Sequence, residues 1–243
     1  MYYALYCHTP IVRQLRAMLR VLIGFAWLRC SALRLLVVHS SIADGVIAML
    51  QGAAHELVVG NTAELTTDVG PVIDQEAFDN IQRHITRLKS EAKVLVAPAK
   101  RAQAATKNIA NLIAPHAFEV ASIAAVKAEI FGPVLQVVRW DGNPEDVIAQ
   151  INALGFGLTL GIQTRIDSRA QSLAAAAHVG NIYINRNMIG AVVGVQPFGG
   201  EGLSGTGPKA GGPHYLFRFC AEQTVTVNTT AAGGNAALLA GVH

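Results

Sequence analysis

Cys30 is the residue of this chain whose type and context best suit covalent chemistry. It stands in Arg29-Cys30-Ser31-Ala32-Leu33-Arg34, immediately ahead of the apolar run Leu33 to Val38. A thiol at the entrance to a strand, with arginines at both ends of its segment, has surroundings that favour the thiolate, the form that attacks a carbonyl carbon. The bland alternative is an inert cysteine acting as a small hydrophobe. Three later segments hold further candidates: Glu129-Ile130-Phe131-Gly132-Pro133-Val134-Leu135, Gly180-Asn181-Ile182-Tyr183-Ile184-Asn185 and Pro197-Phe198-Gly199-Gly200. Each has a plain reading as well. Glu129 could be a solvated acid, Phe131 and Phe198 core aromatics, and Ser31 a small residue at a strand start. From Gly190 to Pro213 glycine and proline are dense and periodicity is weak, the composition of a loop whose backbone approaches a ligand closely.

The elements that must position these residues alternate between two periods. Leu33 to Val38 predicts a buried strand, and Ile42, Val46, Met49 and Ala53 then recur at helical spacing. Phe78, Ile81, Ile85 and Leu88 mark a second amphipathic helix after the Gly70-Pro71 turn. Lys93 to Ala97 and Val134 to Trp140 predict strands, and Asn143 caps a helix over Pro144 to Leu154. A strand over Leu158 to Thr164, a helix over Asp167 to Val179 and a strand over Ile182 to Ile184 follow. Gln223 to Thr230 returns to β-type residues. Strands alternating with helices give an α/β layered sheet with flanking helices, plus a β-type C-terminal tail.

Composition narrows the classes. The chain has 243 residues, 51% hydrophobic and 14% charged, too apolar for disorder and suited to a sheet buried on both faces. The net charge of +3 is modest, although Arg13, Arg16, Arg20, Arg29 and Arg34 all precede the first acid, Asp44. Beyond them the signs mix, which argues against a nucleic-acid partner. Cys7, Cys30 and Cys220 are an odd number at no metal-like spacing, and no histidine cluster suggests a metal. A reducing, cytoplasmic compartment is the simpler reading. The apolar run Val21 to Leu28 is too short to span a membrane and lacks a small-residue cleavage site after it.

In this order and spacing the four segments resemble the aldehyde dehydrogenase superfamily over residues 29 to the C-terminus. Asn185 to Gly200, Gly207 to Pro213 and the closing Thr226 to Asn235 are more specific. They are similar to the glutamate γ-semialdehyde (1-pyrroline-5-carboxylate) dehydrogenase module of the bacterial proline utilization A family. The resemblance implies an oxidoreductase of proline metabolism with NAD as cofactor and a small aldehyde as substrate. Cys30 would be the nucleophile, Glu129 would hold the nicotinamide ribose, and Phe131 would pack near the nicotinamide. Ser31 and the backbone of Gly190 and Ala191 would hold the substrate carboxylate, and Phe198 would wall the aldehyde pocket. Gly200-Glu201-Gly202-Leu203-Ser204-Gly205 is literally a G-x-G-x-x-G string, but no strand leads into it and no helix follows, so it is set aside as a dinucleotide fingerprint.

The pattern also departs from the family. Trp27 and Leu28 stand where Gly-Gln is usual before Arg-Cys, and residues 1–28 match nothing in it. Three units are therefore expected: a basic, helix-compatible segment over 1–28, a catalytic domain over 29–222, and a strand and tail over 223–243. The cofactor domain, with its water-activating glutamate and oxyanion asparagine, would be lacking and brought by a partner chain; a homo-oligomer is the other partner expected. A second reading is a catalytically inactive fragment serving only as an oligomerisation domain. A third is a membrane-surface protein, with Leu15, Met18, Leu19 and Leu22 on one face of a cationic helix.

Overall fold

The computed structural model describes the backbone of residues 2–6, and residues 30–98, 102, 109–186, 188, 191–192 and 194–228. Seven strands form one sheet: β1 (Tyr2–Tyr6), β2 (Leu35–His39), β3 (Lys93–Val96), β4 (His116–Glu119), β5 (Val134–Trp140), β7 (Thr159–Gln163) and β8 (Asn181–Ile184). Their order is β3-β4-β5-β2-β1-β7-β8. All pairs are parallel except β3 with β4. A separate two-stranded ribbon joins β6 (Phe156–Gly157) to β9 (Glu201–Gly202).

Among the described residues four α-helices pack on the sheet: α1 (Ser40–Glu56), α2 (Gln75–Glu91), α3 (Pro144–Ala153) and α4 (Asp167–Ala176). Strand alternation splits the core between two faces. Leu35 and Val37 of β2 share a cluster with Ile81, Ile85 and Leu88 of α2, Ile148 and Ile151 of α3, and Leu173 of α4. Leu36 and Val38 belong to a second cluster with Val46, Ile47 and Leu50 of α1. Leu35 to Val38 are fully buried, which is why β2 reads as an unbroken apolar run rather than an alternating one.

Most expected elements stand within two or three residues of their sequence bounds. Four details differ. Asn143 occupies the N-cap of α3 without a side-chain cap bond, leaving Pro144 at the first helical position as the start signal. A real cap exists where none was expected: the Asp74 carboxylate accepts from Ala77 N at 2.8 Å ahead of α2. Residues 223–228 form no strand and are exposed, since β-type composition makes a strand only where a partner edge is available. Finally, the first residues of the basic segment are a strand, β1, set between β2 and β7. The helical face of Leu15, Met18, Leu19 and Leu22 lies outside the described residues, as do Gly190 and the tail beyond residue 228.

Candidate active site

Because every strand but β3 runs in one direction, most of the candidate residues gather at one edge. Cys30 and Ser31 lie in the turn before β2, the Glu129 to Pro133 loop enters β5, and Gly180 precedes β8. The register aligns these entrances. Leu35 pairs with Gln136 and with Tyr3, Tyr2 pairs with Thr159, and Thr159 pairs with Asn181. At the usual strand spacing the β2 and β5 entrances are neighbours, and the β8 entrance lies about 14 Å from β2. Cys30, Ser31, Glu129, Phe131 and the backbone that carries Phe198 therefore share the amino-terminal edge of the sheet.

The Cys30 turn has a sharp burial boundary. Cys30 is exposed, whereas Ser31 is 7% exposed and Ala32 and Leu33 are sealed in the core. The thiol is thus presented from a fixed base. Arg34 provides the link to the neighbouring loop. It is 2% exposed, its Nη1 donates to the Gly132 carbonyl at 3.4 Å, and its guanidinium carbon lies 5.1 Å from the centre of the Phe131 ring. The sequence places Arg34 as a cation flanking the thiol; the structure turns it toward Phe131 and Gly132. Gly132 lets the loop lie against α2, because a Cβ there would come within 2.5 Å of Ile81 Cδ1 and force that side chain to shift.

Phe131 is 42% exposed and Glu129 half-buried, so the loop offers an open aromatic face beside a carboxylate. That pair suits a planar ring with an adjoining ribose. At the next entrance of this edge, β4 begins with His116, whose N–H bonds the Pro133 carbonyl at 2.9 Å. Burial, opposed only in part by a bond from Nδ1 to the Ala114 carbonyl, pushes the His116 imidazole down to about 4, so it is neutral near pH 7.

The glycine-rich segment leaves the far end of β8 and returns to the amino edge. At its departure Asn185, at φ 53°, uses its side chain as a surrogate strand residue. Its Oδ1 accepts from Thr164 N at 3.0 Å and its Nδ2 donates to Thr164 O at 2.7 Å. Ala191 is half-buried in the stretch that follows, where a turn closes by Gln196 N donating to Val192 O at 2.8 Å. On return, the Asn181 carboxamide bonds Pro197 O at 2.9 Å and Gly199 N at 3.1 Å. Phe198 and Ala210 exchange backbone bonds, both at 3.0 Å, and Lys209 Nζ donates to Gly180 O. Gly180 permits the approach, since a Cβ there would fall 2.0 Å from Gly199 O.

Asn181, Lys209 and Ser204 all stand in segments that the sequence singles out, yet the sequence gives none of them a role. Their partners are separated by 16 to 47 residues along the chain, so no local spacing could reveal them. The G-x-G-x-x-G string is spent on packing. Ser204 Oγ accepts from Gly157 N at 3.1 Å, and a Cβ on Gly200 or Gly205 would lie within 3 Å of backbone oxygen. Among the described residues no cluster of potential metal ligands occurs, and no helix is long and apolar enough to cross a membrane.

Known proteins share this arrangement. The description "Aldehyde dehydrogenase family" matches residues 11–225, a longer span than the expected start at residue 29. The "Bifunctional protein PutA" of Escherichia coli (strain K12) is 52% identical over 198 residues, covering 80% of this chain. The crystal structure of a bifunctional proline utilization A protein superposes with a TM-score of 0.85 at 48% identity, over 96% of this chain and 23% of that one. A 1-pyrroline-5-carboxylate dehydrogenase from Thermus, solved with bound NAD, gives a TM-score of 0.77 at 30% identity, over 90% of this chain and 42% of that one. The chain spans only about 15% of the length of the PutA relative it matches. With the ordered motifs, the shared sheet and the match over most of its length, the chain belongs to the aldehyde dehydrogenase family.

Proposed function

We propose that this chain carries the nucleophile and substrate-end half of an NAD-dependent oxidation of L-glutamate γ-semialdehyde to glutamate, a step of proline catabolism. The observation that supports it most is the exposed Cys30 thiol on a buried base, tied through Arg34 to the Phe131 loop. The Cys30 thiolate attacks the aldehyde carbon, and its own backbone N–H helps to hold the oxyanion. NAD, when bound, accepts the hydride from that carbon. The carbon then remains on Cys30 as a thioester, and water cleaves it to give glutamate and the free thiol. Glu129 and Phe131 are the residues of this chain that would hold the cofactor's ribose and nicotinamide, and their half-buried carboxylate and open ring fit those groups.

Ser31, the backbone at Gly190 and Ala191, and Phe198 complete the reading on the substrate side. A small carboxylate needs several N–H or O–H donors, and glycine-rich backbone supplies them without side-chain bulk. In this reading full turnover draws the hydrolytic base and the rest of the cofactor site from a partner chain that carries the family's cofactor-binding part. NADH formation from glutamate γ-semialdehyde tests it, using the chain alone, the chain mixed with the cofactor-binding part of a PutA relative, and Cys30→Ser in each. The mixture should turn over and Cys30→Ser should abolish it. Equal rates for Cys30→Ser would contradict the assignment.

A second reading, an inactive fragment that only associates, draws on one observation. Leu216, Phe217, Phe219, Val225 and Val227 are each at least 68% exposed in the C-terminal stretch. Sedimentation of the chain without any turnover in the mixture would favour it.

A further inference from the structure

We infer that Asn181 is a positioning residue whose carboxamide sets the place of Phe198 and, through it, the width of the pocket in front of Cys30. The inference rests on the reading of Phe198 as the wall of that pocket. Asn181 is the first residue of β8 and is 9% exposed. Its Nδ2 donates to the carbonyl immediately before Phe198 and its Oδ1 accepts from the N–H immediately after it. The orientation of the amide is dictated, because a carbonyl can only accept and an N–H can only donate. Phe198's own N–H and C=O are taken by Ala210. Four consecutive backbone groups around one aromatic residue are thus paired, two of them to a single side chain.

That economy matters because the segment is otherwise costly to order. Glycine and proline fill it, and a glycine-rich backbone loses more conformational freedom on fixing than any other. The strand entrance supplies the fixed reference, since Thr159 beside Asn181 in the ladder is fully buried. Lys209 and the missing side chain at Gly180 let the loop pack against that entrance, but neither bonds the backbone groups that flank Phe198. Among the described residues only the Asn181 side chain bonds the backbone on both sides of the ring-bearing residue. Asp at 181 keeps an acceptor for Gly199 N–H and loses the donor to Pro197 O, while Ala loses both.

The test uses the full chain and thiol probes of two sizes, iodoacetamide and N-benzyl iodoacetamide, with alkylation followed site by site by peptide mass spectrometry. Exposed Cys220 is the internal reference. Amide hydrogen exchange across residues 195–200 is followed alongside. Asn181→Ala should raise the ratio of large-probe to small-probe rates at Cys30 by about tenfold, the scale on which pocket shape discriminates. The Cys220 ratio should stay constant and exchange at Gly199 should accelerate. Asn181→Asp should fall between, and it carries the comparison if Asn181→Ala shows no melting transition. A role confined to stability would lower the melting temperature and leave the Cys30 ratio where it was, which overturns the inference; so does unchanged exchange at Gly199. A wild-type chain that forms no NADH even in the mixture sinks the aldehyde reading, yet the probe ratio still decides whether Asn181 places Phe198.

Discussion

The Arg34 guanidinium lies 5.1 Å from the centre of the Phe131 ring and donates to the carbonyl of the next residue, Gly132, at 3.4 Å. One buried side chain four residues after the thiol therefore braces the loop that would meet the cofactor. Cys30 and the Phe131 loop are thus tied to the same short stretch of chain leading into β2 rather than to separate supports. Arg34→Met should lower stability by about 0.5–1.5 kcal/mol in urea unfolding, the net worth of the lost bond, since the Gly132 carbonyl keeps Val134 N–H as a donor. Arg34→Lys should lose less stability yet still loosen residues 129–133 in hydrogen exchange, because an ammonium cannot both stack and donate in a fork. Wild-type stability in Arg34→Met would contradict the brace.

Gly180 makes a steric prediction. A Cβ at this position would meet Gly199 O at 2.0 Å and Gly200 Cα at 2.8 Å, both backbone atoms that cannot rotate aside. Gly180→Ala should cost at least about 1–3 kcal/mol, the usual range for overpacking, and should speed tryptic cleavage at Lys209. Full stability with an unchanged cleavage rate would mean that the loop does not lie against the β8 entrance.

Two histidines predict loss of stability in acid. Burial, aided by the Arg87 cation, pushes His84 down to about 4, and burial pushes His116 to about the same value. From the ordinary value of 6.5 downward the unfolded chain takes up protons that the folded chain refuses. Stability should be full above pH 6.5, fall through the window from 6.5 to 4, and level off below it. Each histidine contributes a slope of up to about 1.4 kcal/mol per pH unit within that window. Urea midpoints at pH 7 and pH 5 measure it, and replacing both residues by Gln should flatten the difference. An equally steep loss in the double variant would place the acid sensitivity elsewhere.

At the opposite edge of the sheet Arg139 of β5 bonds Glu119 of β4 at 2.8 Å and Asp44 of α1 at 2.7 Å. The distances are alike but the surroundings differ. The Asp44 side chain is 91% exposed, whereas Glu119 is 21% exposed. Asp44→Asn should cost less than about 0.5 kcal/mol in physiological salt, and Glu119→Gln about 1 kcal/mol or more. The reverse order, read from denaturation midpoints, would contradict the idea that solvent screening decides between the two pairs.

Periodicity made β2, β5 and α2 legible because each buries a continuous or regularly spaced set of side chains, as Leu35 to Val38 and Ile81, Ile85 and Leu88 show. The four-residue strand at His116–Glu119 was not legible, since so short a segment has no period of its own and is made a strand by β3 and β5 on either side. The same holds for Tyr2–Tyr6, which becomes a strand by pairing with β2 and β7. At the site, the motifs name Cys30, Glu129, Phe131 and Phe198 as candidates, and the parallel strands bring their segments to one edge of the sheet. Contacts across long sequence separations were not legible, so Arg34 was given to the thiol instead of to Phe131, and the Asn181 clamp went unseen.

The central claim is that Cys30 is the thiol that meets the aldehyde. Its most direct test is the rate of Cys30 alkylation by iodoacetamide, followed by peptide mass spectrometry with and without saturating glutamate γ-semialdehyde. Reversible addition of the aldehyde should slow Cys30 by about tenfold or more, should slow it less when propanal replaces the carboxylate-bearing substrate, and should leave Cys220 unaffected. Equal slowing of Cys30 and Cys220, or of neither, would contradict the assignment.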